Sequence, residues 1–153
     1  MFETLVIVAL TGAGLVAGLL FVFSNCVMRS FEEMPEAEGM RAMQIINRRI
    51  QNPLFLSIFM GTTLVCLGII VWAVLEGAAG FVYAVAGAGL YVVGGFGITV
   101  FFNVPLNHQL DQASLDSDEG RELWARYRRD WTRWNHVRTL LCVAAVVLLA
   151  LAL

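Results

Sequence analysis

The sequence predicts an all-α fold: an integral membrane four-helix bundle with an amphipathic cytoplasmic loop helix and a long fourth helix. Two observations carry this. The uncharged apolar residues gather into four blocks, each close to the roughly 20 residues a helix needs to cross a bilayer. Nearly all charged residues fall in two segments between those blocks. With 59% hydrophobic and only 14% charged residues, and a mean hydropathy of +0.74, the natural solvent for this chain is lipid rather than water. Four spans use up its 153 residues, so a single domain, 1–153, is expected.

The spans are expected at about 4–27, 53–75, 80–102 and 137–153. The first is too long and glycine-rich for a secretory signal and has neither a basic start nor a small-residue cleavage site, so it reads as a retained helix. Between the first two spans, Met43 to Pro53 forms an amphipathic stretch that places Gln44 and Asn47 three apart on one face. Pro105 is expected to break the third helix as it leaves the bilayer. The fourth apolar run is short, but the proline-free helical pattern from Ser117 through Trp134 can carry it inward from a long helix.

All ten basic residues are arginines, and all lie in two places: Arg29, Arg41, Arg48 and Arg49 after the first span, and six between Arg121 and Arg138. Arginine is enriched on cytoplasmic flanks, which puts loops 28–52 and 103–136 in the cytoplasm and both termini outside. Ten acidic residues share these loops. The resulting surface is zwitterionic, which argues against nucleic acid as a partner. Cys26, Cys66 and Cys142 are scattered in or beside apolar blocks and read as free thiols.

Helices in lipid associate through small residues. Gly14 and Gly18 form a GxxxG in the first span, and Gly87, Gly89, Gly94, Gly95 and Gly97 surround Tyr91 in the third. These glycines imply tight packing within the bundle, a homo-oligomer, or room for a flat ligand between helices.

Polar residues at membrane depth are costly and often functional. At about 100° per residue, Trp124, Arg128, Trp131, Asn135, Arg138 and Cys142 share one face of the fourth helix, which should turn inward. Tyr127 and Trp134 flank that face, and His136 lies well round from it. Tryptophans here also suit an interfacial belt, but a belt has no need of Asn135 and Arg138. A buried Arg138 requires an anion or several acceptors, which Asn103, Asn107 and Asn135 can supply. The histidines, His108 and His136, share a depth, so a metal or haem held by them is an alternative, although no HxxH, HxxE or CxxC is present.

Three segments, Met43-Gln44-x-x-Asn47, Asn103-Val104-Pro105-x-Asn107, and Trp124-x-x-Tyr127 followed by Trp131-Thr132-x-Trp134-Asn135-x-x-Arg138, resemble the anthrone oxygenase-like family of small four-span membrane proteins. Many bacterial members of that family are described only as a domain of unknown function, and the resemblance suggests a bacterial inner membrane location. Fungal members oxidise an anthrone to an anthraquinone with molecular oxygen and no evident cofactor. The resemblance implies a flat, apolar, phenolic or anthrone-type substrate entering from the lipid. Trp131 and Trp134 would stack on its rings, Arg138 with Asn103 and Asn135 would stabilise an oxyanion, and His136 or His108 would act as base. Asn107, Gln44 and Asn47 complete the implied substrate site. The competing class is a non-enzymatic membrane binding or assembly protein. Transport is disfavoured because no carboxylate lies mid-span.

Overall fold

A computed structural model describes residues 1–77, 81–114 and 117–153. The expected start of the third span at Gly80 lies outside these, as does Asp116 in the expected 103–136 loop. Among the described residues there are no strands, and five helices account for nearly all of them. We label these α1 (Phe2–Glu33), α2 (Glu36–Arg49), α3 (Pro53–Glu76), α4 (Val82–Asp111) and α5 (Asp118–Ala150). All but α2 are long and apolar enough to cross a membrane. Lipid offers no partner for a backbone N–H or C=O, so an apolar block must satisfy those groups internally, as a helix does.

The helix ends follow from local chemistry. Asn52 caps α3, its Oδ1 accepting from the Phe55 N–H at 3.0 Å, and Pro53 sits in the first turn, where its missing N–H costs nothing. Ser117 caps α5 by accepting from the Gly120 N–H at 3.0 Å, and Asp118 and Glu119 favour the same helix end. The α3 helix stops at Gly77, whose φ of 89° suits glycine.

Pro105 does not end the third helix. It follows a π-helical segment, Thr99–Asn103, and occupies the first turn of the α-helical piece Val104–Asp111. Its missing donor falls where the ladder has already been widened, so the helix passes through it. Further π-helical turns occur at Tyr91–Gly97 in α4 and Phe23–Val27 in α1.

The four long helices form an up-down ring in which α1 packs on α3 and α5, and α4 on the same two. At 1.5 Å per residue, the 24 residues of α3 give about 36 Å, close to one bilayer. By the same measure the 33 residues of α5 reach about 50 Å, so α5 stands clear of the hydrocarbon at its arginine-bearing end. There α2 packs across the ends of α4 and α5. Gln44 Nε2 donates to the carbonyls of Leu110 at 2.8 Å and Ala113 at 3.3 Å, and Arg48 pairs with Asp111.

Two apolar cores result. One, at membrane depth, is built from small residues of α1 with Phe59, Cys66, Tyr91, Cys142 and Leu149. The other, at the arginine-bearing end, joins Met28, Phe31, Met40, Met43 and Leu110 to Trp124, Tyr127 and Trp131. The glycines divide between inside and outside. A Cβ on Gly12 would overlap Thr62, and one on Gly87 would come within 3.0 Å of the Ala145 carbonyl and the Leu149 N–H. Gly14, Gly18 and Gly89 have open space above them.

Candidate functional site

The α5 helix brings the polar constellation together. Trp124, Trp131, Asn135, Arg138 and Cys142 all turn inward and are buried, as helical spacing predicts, whereas Arg128, expected on the same face, is only half-buried and lines an open groove between α1 and α5. Trp124, Tyr127 and Trp131 stack as a ladder, with centroids 5.7 and 6.0 Å apart and planes within 23°. The Arg138 guanidinium lies over the Trp131 ring at 5.0 Å.

Arg138 is held by neutral acceptors alone. Its Nε donates to Asn135 Oδ1 at 2.8 Å and its Nη1 to Thr99 Oγ1 at 3.0 Å. Asn135 in turn donates to the Leu20 carbonyl at 2.8 Å and to the Ser24 hydroxyl. This chain of contacts crosses from α1 through α5 to α4 at one depth. Among the described residues no carboxylate pairs with Arg138, although it is 7% exposed. Guanidinium stays charged at any working pH, and a buried charge without a counter-charge is expensive.

Beside Arg138 lies a cavity of about 250 Å³ bounded by all five helices, slightly smaller than the usual run of small-molecule pockets. Its polar lining comes from Asn47, Gln51, Thr99, Asn107, His108 and Arg138, and its apolar lining includes Leu20, Phe23, Met43, Phe55 and Trp131. The Trp131 indole N–H and the Asn47 Nδ2 are buried without a hydrogen-bond partner. The Tyr127 hydroxyl donates to Asn107 Oδ1 at 2.8 Å. His108 is exposed, so it stands where the cavity meets the surface.

The structure thus gathers Trp131, Arg138, Asn47, Asn107 and His108 around one space and sets the other anticipated residues outside it. Asn103 is fully buried, its Nδ2 donating to the Trp131 carbonyl at 3.3 Å and its Oδ1 left without a donor. Asn135 acts through Arg138, while Gln44 fastens α2 to the end of α4. Trp134 stacks on Phe102 at 3.8 Å on the outer surface. His136 opens into a separate groove between α1 and α5. Among the described residues the end of α4 does not cover that flank, because the segment carrying His108 packs beside α2. The two histidines therefore do not converge, and among the described residues no three of His, Cys, Asp and Glu cluster as a metal would need.

Sequence reasoning missed Thr99 and Ser24, the partners of Arg138 and Asn135. Both sit in π-helical turns, which shift the facing of each residue away from a 100° projection. A small hydroxyl close to the polar end of an apolar span was the available signal.

A family model described as Anthrone oxygenase matches residues 53–148. No curated protein and no solved structure matches the chain. The matched segment contains α3, α4 and most of α5, and with them Thr99, Asn107, His108, Trp131 and Arg138.

Proposed function

This chain belongs to the anthrone oxygenase family, and from that premise we propose that it oxidises a flat, apolar phenolic or anthrone-type substrate with molecular oxygen in the cavity beside Arg138. Membership and the four apolar helices make it a membrane-embedded, oxygenase-like protein. The finer reading rests on one observation, a buried guanidinium whose protein partners are all neutral. Such a group favours an anion beside it, and an anthrone becomes one when its methylene loses a proton. The substrate ring lies against Trp131, and its oxygen faces Arg138, which stabilises charge as it develops.

His108 is the base in this reading, since it lines the cavity and His136 does not. It takes one methylene proton, leaving a carbanion delocalised onto the ring oxygen. The carbanion passes one electron to oxygen, and the carbon radical and superoxide then join through a new C–O bond. His108 returns its proton to the peroxide. Loss of water breaks the O–O bond and the second C–H bond, leaving a carbonyl where the methylene stood. Substrate and oxygen supply every atom and electron, so no bound cofactor is required. The arginine-bearing end faces the cytoplasm.

The test is oxygen uptake and quinone formation by detergent-purified protein with an anthrone, alongside metal and organic analysis of the same preparation. Turnover above the uncatalysed rate that Arg138→Met abolishes supports the reading. Oxidation no faster than in buffer, or activity that tracks a stoichiometric metal, overturns it.

A further inference from the structure

The groove that takes in His136 has a chemistry the oxidation does not use. It lies between α1 and α5 at the arginine-bearing end, measures about 650 Å³ and is open to the outside. Arg29, Arg128, Arg129 and Arg133 line it, with Glu32 the one carboxylate among its lining residues. Arg129 is engaged by Asp130, at 2.8 Å from Nε and 3.2 Å from Nη2. Arg29, Arg128 and Arg133 have no acidic partner among the described residues. Arg128 rests over the Trp124 ring at 5.6 Å, and its Nε is buried without an acceptor. The groove stays positive after Glu32 and Asp130 are counted, and its donors are guanidinium forks, which match a phosphate better than any other side chain does.

The surface changes character in the direction of the membrane. On α5 the groove residues Thr132 and His136 are followed, at steps of four and three residues, by Leu140 and Val143, which are 70% and 46% exposed. On α1, which runs the opposite way, Phe21 lies just deeper than Ser24 and is 55% exposed. Gly18, one turn further in, has open space above it. The charged pocket thus gives way to exposed apolar side chains along two antiparallel helices. A soluble anion would use only the first part, whereas an amphiphile uses both.

We infer that this groove binds one anionic phospholipid of the adjoining leaflet, its phosphate among Arg29, Arg128 and Arg133 and its acyl chains along Phe21, Leu140 and Val143. The site is distinct from the Arg138 cavity, which lies on the opposite flank of the α1 and α5 pair. Each interfacial arginine contributes about fivefold to binding of an anionic lipid.

Native mass spectrometry of the purified protein, titrated with dioleoylphosphatidylglycerol or dioleoylphosphatidylcholine, tests the inference. One phosphatidylglycerol per chain should bind in clear preference to phosphatidylcholine. The double variant Arg29→Gln with Arg133→Gln changes two exposed side chains and should weaken that binding by about thirtyfold. Arg41→Gln with Arg49→Gln removes the same charge from α2 and should leave binding unchanged. Equal retention of the two lipids, or equal loss in both double variants, would show only diffuse charge attraction and overturn the site. If inorganic phosphate binds as tightly as the lipid and displaces it, the ligand is a soluble anion and the lipid assignment fails.

Discussion

Replacing Arg138 with methionine, similar in reach and uncharged, separates a ligand site from a structural tie because the two roles move stability and turnover differently. The variant gives up charge-assisted bonds of 2.8 Å to Asn135 and 3.0 Å to Thr99, each worth roughly 1.5–3 kcal/mol. Thr99 keeps its own bond to the Gly95 carbonyl at 2.6 Å, so Asn135 Oδ1 alone is left without a donor, at a further cost of about 1–3 kcal/mol. Against this stands the relief from burying an uncompensated guanidinium, several kcal/mol in effective terms. The terms offset, and net stability should change by less than about 2 kcal/mol. Oxidation has no such offset. Losing one oxyanion partner should lower turnover by about 10²–10³-fold. Thermal unfolding in detergent and oxygen uptake with an anthrone measure the two quantities on one preparation. If the variant loses more than about 3 kcal/mol while its folded fraction turns over normally, Arg138 is a structural tie and the chain a binding or assembly protein.

Three further outcomes are expected. His108→Ala should reduce turnover by roughly 10²-fold with substrate affinity little changed, and His136→Ala should leave turnover intact; the reverse pattern in steady-state kinetics would move the base to the α1–α5 groove. Gly87→Ala should destabilise the bundle by about 1–3 kcal/mol, because its Cβ meets the Ala145 carbonyl and the Leu149 backbone, while Gly89→Ala, with open space around it, should be neutral or stabilising on thermal unfolding. Reporter fusions at both termini should read as external and a fusion at Glu36 as cytoplasmic; a cytoplasmic C-terminus would reverse the orientation proposed from the arginines.

The bundle was legible because lipid leaves an apolar block few alternatives, and the long fourth helix because no proline interrupts Ser117 through Trp134. The inward stripe of α5 was equally plain, since α5 is regular α-helix over its whole length. Legibility failed where the helices are not regular. The π-helical turns re-aim Ser24, Thr99 and Asn103 and carry the chain through Pro105, and no fixed angular step anticipates them. Trp134 was expected with Trp131, but their spacing of three leaves room for α4 to set Phe102 against it on the outside. Which histidine joins Arg138 depends on how α2 and the end of α4 pack, a tertiary fact with no local signature.

The aromatic ladder of α5 gives this protein an internal optical gauge. Trp124, Tyr127 and Trp131 are stacked with successive centroids 5.7 and 6.0 Å apart and fixed in a packed core, the condition under which aromatic side chains give a strong near-ultraviolet circular dichroism band. One end of the ladder, Trp131, borders the cavity, and the other, Trp124, carries Arg128 of the lipid groove. Trp72 stands apart, against Phe2 near the opposite end of the bundle, and serves as an unperturbed reference. Occupancy of either site therefore registers in the spectrum of the native chain without any attached label.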